Sequence, residues 1–250
     1  MTADTESLAK QFARPVRRLS PLVIPGAAMF DISGSKNCFT WTRVLSQGAV
    51  GNDVTQLQIR VAGWVGVGEI LAVDGFFGPA TGAAVRRFKA GYGLQSTTET
   101  AGPETYAVIY SIQDADCTPR HFSYAEFTGG CGETGFFGGA VSGATVQANL
   151  LRVMWQLEAL RHKLGDRPIV ITSGFRSIGC NSRVGGAPNS LHTYGKAADL
   201  GLASAPTQCQ LWRTAQSCGF REILGPGYPG HDDHVHVANR DTRFWQAPDC

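Results

Sequence analysis

Seven cysteines stand at positions 38, 117, 131, 180, 209, 218 and 250, and no two of them form a Cys-x-x-Cys pair. Such scatter argues against a structural zinc cluster or thioredoxin chemistry and for disulfides, which tie distant stretches of chain into one oxidised fold. Disulfides persist in oxidising compartments, so the chain is expected to be secreted, with three bridges and one thiol left over. A cytosolic enzyme with buried free thiols is the alternative. At the amino terminus, RPVRRLSPLVIPGAAMFDISGS follows a basic stretch, Arg14 to Arg18, with about a dozen mostly apolar residues. Pro21 and Pro25 interrupt that run and no Ala-x-Ala cleavage site follows, so residues 1–37 are read as a signal-like or disordered segment. No stretch approaches the ~20 apolar residues that span a bilayer, which excludes a membrane span.

Charge narrows the partners. With 22 basic against 20 acidic residues the net charge is +2, far from the basic face that nucleic-acid binding needs. Glycine at 31 of 250 and hydrophobic residues at 43% describe a compact, loop-rich protein. At ~100 to 150 residues per unit, two domains are expected.

In GNDVTQLQIRVAGW, Val54, Leu57 and Val61 fall at helical spacing behind the capping candidates Asn52 and Asp53. A turn at Asp74-Gly75 leads to a second helix starting at Pro79, with Ala84, Val85, Phe88 and Tyr92 on one face. GPETYAVIYSI starts a third, with Tyr106, Ile109 and Tyr110 inward. These read as a small helical bundle over residues 38–115. Beyond Cys117, glycine-rich loops give way to ATVQANLLRVMWQLEALRHKLGD, where Val146, Leu150, Val153, Leu157, Leu160 and Leu164 form a buried stripe. PIVITSG reads as a buried strand, FREILGPG and HVHVA as two more, and a helix is expected from Ser204 and Pro206 through Leu211, Trp212 and Ala215 to Gly219. Residues 116–250 are therefore expected to form an α+β domain.

Four of the six histidines, at 192, 231, 234 and 236, lie within 45 residues. A catalytic zinc site wants three ligands from histidine and carboxylate with a fourth position open, and His192, Asp199 and His236 supply that set. Asp199 sits in the mostly apolar AADLGL, where an unpaired carboxylate is costly; a bound cation, or a salt bridge to Arg176 or Arg183, would relieve it. Strand alternation turns His234 and His236 the same way. Arg176, after a predicted strand, offers the planar fork that holds a terminal carboxylate. His231 is read as loop, His121 and His162 as surface, and Lys196 as solvent-facing.

Two resemblances extend this. GNDVTQLQIRVAG, DGFFGPATGAAVRRFKAGYGL and AGPETY resemble the peptidoglycan-binding domain attached to bacterial wall hydrolases, over about residues 48–110. SGFRS, NSLHTYGKAADLG and GHDDHVHVA resemble the zinc D-alanyl-D-alanine carboxypeptidases of actinobacteria, with similarity from about Cys38 to Cys250. The second implies a fold shared with bacterial dipeptidases, phage wall endopeptidases and the hedgehog signalling domain. It implies one zinc ion on His192, Asp199 and His236, Asp233 as the acid or base with Asp232 as competitor, His234 as oxyanion donor and Arg176 on the substrate carboxylate. It also implies the pairs Cys38–Cys117, Cys131–Cys180 and Cys209–Cys250, with Cys218 unplaced. Release of D-alanine from peptidoglycan stem peptides by a monomer at the cell wall is then expected. The alternatives are a cross-link endopeptidase and a non-catalytic zinc-bearing adhesion or wall-binding module. Asp233 is awkward in one respect: strict alternation would turn it away from His236 unless the strand begins at His234.

Overall fold

The computed structural model describes residues 38–128, 130–201 and 206–250. The signal-like segment 1–37 and the helix start at Ser204 fall outside the described residues. Three helices come first: α1 (Asn52–Val61), α2 (Pro79–Gly91) and α3 (Pro103–Ser111). Proline opens α2 and α3, at a position where its missing N–H has no helical partner to lose. In α1 the N-cap is Gly51, not Asn52 or Asp53, and Asp53 lies in the first turn with its carboxylate on Arg43 at 2.6 Å. There it complements the positive end of the helix dipole. At the predicted turn Gly75 has φ +76°, and the buried Gln58 accepts from the N–H groups of Asp74 and Gly75 and donates to the Asp74 carboxylate.

Val54, Leu57, Val61, Ala84, Val85, Phe88, Tyr106 and Ile109 are buried together with Trp41 and Leu45. Tyr92 and Tyr110 pack half-buried against them. The three helices do not close this core by themselves. Trp155 and Ala159 of α4 (Gly143–Lys163) fill it, while Val146, Leu150, Val153, Leu157 and Leu160, from the same helix, enter a second core. The predicted stripe is therefore one of two apolar faces. Ser142 caps α4 by accepting from the N–H of Thr145 at 3.2 Å.

The second core lies between α4 and a five-stranded sheet of order β1-β2-β4-β3-β5: β1 (Val170–Ser173), β2 (Ala197–Gly201), β3 (Glu222–Leu224), β4 (His234–Ala238) and β5 (Phe244–Gln246). Its pairs are antiparallel except the parallel β3–β5. The strand in PIVITSG is an edge strand with Val170 43% exposed, not the buried strand expected from its β-branched residues. The buried position beside it belongs to β2, whose five residues are all buried. Two short helices, α5 (Ile178–Arg183) and α6 (Gln208–Ala215), complete the α+β arrangement, α6 being started by a reciprocal cap between Thr207 and Gln210.

Disulfides join Cys38–Cys117, Cys131–Cys180 and Cys209–Cys250. They close loops of 79, 49 and 41 residues, each stabilising by on the order of 4 kcal/mol on a chain-entropy account. Cys218 is buried and unbridged, and burial pushes its thiol up, away from nucleophilic chemistry. Among the described residues no helix is long and apolar enough to cross a membrane.

Candidate metal centre

β2 and β4 pair so that Asp199 lies directly opposite His236. Ala198, Leu200, Val235 and Val237 point into the core beneath α4, so alternation turns Asp199 and His236 to the opposite face of the sheet. His192 arrives from a tight helical turn, Leu191–Tyr194, just ahead of β2. That turn ends at Gly195 with φ +67°, where a Cβ would meet the Val146 carbonyl at 2.7 Å. Only glycine lets the turn close so near α4 and bring His192 over the sheet.

His192 Nε2, Asp199 Oδ1 and His236 Nδ1 form a triangle with sides of 3.1, 3.2 and 2.8 Å. Ligand atoms of a tetrahedral zinc ion at ~2.0–2.1 Å stand about 3.3 Å apart, so a few tenths of an ångström of outward movement would fit one. The remaining ring nitrogens are held from outside: His192 Nδ1 lies 2.6 Å from the Gly174 carbonyl and His236 Nε2 lies 3.2 Å from Glu222 Oε1. Protons on those nitrogens leave each ring a lone pair turned inward. Inward lone pairs and a carboxylate oxygen this close, all buried, favour a cation among them.

The same cluster also attracts protons, which a metal ion would displace. Burial raises the Asp199 carboxyl, yet His192 and His236 hold it far below the usual carboxylate range. Burial lowers His236, yet hydrogen bonds to the carboxylates of Asp199 and Glu222 push it up to about 9. His192, where burial outweighs Asp199, is lowered. Positive charge is drawn to the Asp199 side of this cluster.

Arg176 meets that charge from behind. Its Nη2 pairs with Asp199 Oδ2 and its Nε donates to Ser173 Oγ at 2.8 Å, so the salt bridge that the sequence allows is formed. His234 turns the same way as His236, with Nε2 3.8 Å from Asp199 Oδ1. Asp233 lies in the bend before β4, which begins at His234, so alternation does not govern it. It is exposed, and its carboxylate lies 2.7 Å from His234 Nδ1. Asp232 is engaged elsewhere: its carboxylate accepts from the N–H of Gly227 at 2.9 Å and its carbonyl from Gln208.

Two contributors escape the sequence patterns. Glu222, in the apolar strand EIL, buttresses His236 and is itself paired with Arg240 at 2.6 Å. A lone carboxylate in a buried strand was its signal. His231 does sit in a loop, but its ring packs against His234 at 4.8 Å, on the rim of the cluster. His162 is not a plain surface residue: half-buried, it stacks on Tyr92 at 4.3 Å and bonds the Gly91 carbonyl, linking α2 to α4. His121 is exposed but pairs with the buried Glu158.

Residues 120–238, which include every member of the cluster, match the family described as Peptidase M15. Residues 50–109 match the family described as a putative peptidoglycan binding domain. Over 236 residues, 94% of this chain and 91% of the relative, the sequence is 52% identical to a zinc D-Ala-D-Ala carboxypeptidase of Streptomyces albus G.

Proposed function

The chain belongs to the M15 peptidases, as a zinc D-Ala-D-Ala carboxypeptidase carrying a peptidoglycan-binding domain, and from that premise we propose that His192, Asp199 and His236 hold its zinc ion. When bound, zinc polarises the scissile carbonyl and brings the pKa of water to ~7, which supplies a nucleophile at neutral pH. Around it the side chains divide the work. Asp233, outside the strand and beside His234, takes the proton of the attacking water and passes it to the departing D-alanine nitrogen. The engagement of Asp232 in the Gly227 loop supports Asp233 in this role. His234, its Nδ1 side held by Asp233, turns Nε2 toward the cluster and donates to the oxygen that becomes negative as the carbonyl is attacked. Arg176, steadied by Ser173 and Asp199, presents its remaining donors to the terminal carboxylate, which selects free C-termini. That choice favours a carboxypeptidase over an endopeptidase. The three disulfides fit secretion, and the protein acts as a monomer at the wall, with residues 38–115 as the wall-binding region and 116–250 as the catalytic one.

The observation that carries this is the buried His192–Asp199–His236 triangle. Oxidised protein is expected to release D-alanine from an acyl-Lys-D-Ala-D-Ala peptide, to lose this on chelation and to regain it with zinc. Asp233→Ala should keep zinc while lowering kcat by at least ~100-fold. Loss of zinc from that variant would make Asp233 a structural residue instead.

A further inference from the structure

Between α4 and the strand ends, where Lys196 precedes β2, Arg221 precedes β3 and Asn239 follows β4, is a cavity of about 260 Å³. Arg152 of α4, Lys196 ahead of β2, and Arg221, Arg240 and Asp241 from the loops around β3 and β4 line it. Leu71 and its two chain neighbours close it from the peptidoglycan-binding region. Lys196 stands just ahead of β2 and three residues before Asp199, so the cavity wall adjoins the strand that carries the metal ligand.

Its charge is unbalanced. Among the described residues Arg152 spends one hydrogen bond, from Nη2 to the Leu71 carbonyl at 2.9 Å, and its Nε meets no partner. No carboxylate among the described residues pairs with Arg152, Lys196 or Arg221: Lys196 lies 6.0 Å from the Tyr194 ring, and Arg221 meets only the Asp241 carbonyl. Arg240 is taken by Glu222, and among the described residues Asp241 is the one carboxylate in the lining. Arg60 shows how this chain treats a buried guanidinium that needs no ligand. Its three nitrogens are bonded to Gln56 and Gln113, and it lies 5.5 and 5.7 Å from the rings of Trp41 and Trp155. Arg152 has neither arrangement, and burial depresses its pKa. An uncompensated, half-buried cation costs free energy that a bound anion would offset.

We propose that this cavity is a second peptidoglycan site, in which Arg152, Lys196 and Arg221 hold a carboxylate of the stem peptide against the apolar Leu71 wall. The ligand class rests on the wall-peptide reading above and on size. The volume equals roughly nine waters, enough for an amino-acid residue or two. None of the three proposed zinc ligands lines the cavity, so a wall strand held here leaves them free. A second attachment on the same polymer raises the effective concentration of stem peptides at the metal.

The test uses the oxidised full-length protein with zinc and a disaccharide-tripeptide wall fragment, which lacks D-Ala-D-Ala and is no substrate. Titration calorimetry should show binding that weakens at least tenfold in the double variant Lys196→Gln/Arg221→Gln and when the fragment's carboxylates are amidated. The same variant should hydrolyse a short acyl-Lys-D-Ala-D-Ala peptide within about twofold of the native rate. Arg152→Gln is a second variant with the same expected loss, and should it fail to fold, the double variant still decides. Equal binding by native and variant protein, equal binding of the amidated fragment, or preference of the cavity residues for a glycerol-phosphate polymer would each overturn the assignment. Absence of short-peptide hydrolysis in the native protein would instead count against the catalytic reading, whatever the fragment does.

Discussion

Asp199 divides its two oxygens between tasks, Oδ1 toward His192 and His236 and Oδ2 toward Arg176. Neither task can be removed cleanly without disturbing the other, so the informative substitutions lie one residue out. Glu222 fixes the ring of His236 from its far nitrogen, and outer partners of this kind are worth ~10–100-fold in metal affinity. Zinc affinity, measured by competition with a chelator, should fall by about that much in Glu222→Ala, and Glu222→Gln, which keeps the acceptor, should recover part of it; equal affinity in all three would show that Glu222 does not orient His236. Arg176→Ala should raise KM for a free-acid peptide by ~10–100-fold, the worth of a charge-assisted pair, and abolish the preference over the amidated peptide while zinc stays bound. Loss of zinc would show that holding Asp199 is the main work of Arg176. The ligand triad is legible in the sequence because metal chemistry confines it to histidine and carboxylate. Glu222 is not, because its partner comes from a different strand and no spacing relates the two.

At the level of elements, legibility follows periodicity. The helices that begin at Pro79 and Pro103, and the stripe of α4, are read from local pattern. β2 is not, since Ala197, Ala198 and Gly201 are poor strand formers and only pairing on both sides makes AADLG a strand. β1 shows the converse, a strand composition placed at an edge. The second face of α4 is hidden for a related reason: Trp155, Ala159 and the buried pair Glu158–Arg161 interrupt any single stripe. Glu158 is buried, which raises its pKa, but bonds to His121 and Arg161 more than reverse this, so the folded pKa lies below the ordinary value. A depressed carboxylate stabilises above its unfolded pKa and loses that contribution as pH falls through the folded one. Glu158→Gln should therefore cost about 3 kcal/mol near neutral pH, and the gap in unfolding free energy from native protein should narrow below about pH 4. Acid release of zinc is common to both proteins and cancels in the difference. A gap independent of pH would mean that packing, and not charge, keeps Glu158 there.

For the whole molecule the consequence of α4 is that the two regions cannot melt independently. Composition and length predict two domains, and the family matches divide the chain near residue 115. Yet the helical core is completed by Trp155, from the far side of that division, whose indole N–H also donates to the Cys117 carbonyl at 3.1 Å beside the Cys38–Cys117 bridge. A helix that serves two cores couples them, because losing either face leaves apolar surface of the other uncovered. Calorimetry of the oxidised protein should accordingly show one transition whose calorimetric and van't Hoff enthalpies agree. Trp155→Ala, a large-to-small change at a buried position, should lower stability by ~3–5 kcal/mol. It should lower the melting of both regions together, although the ring itself packs in the helical core. Two resolved transitions in the native protein, or a variant in which the helical region alone melts early, would show that the cores are joined covalently and not energetically. Coupling of this kind also bears on the cavity beneath Leu71, whose walls come from both regions and keep their spacing only while α4 holds the two cores in register.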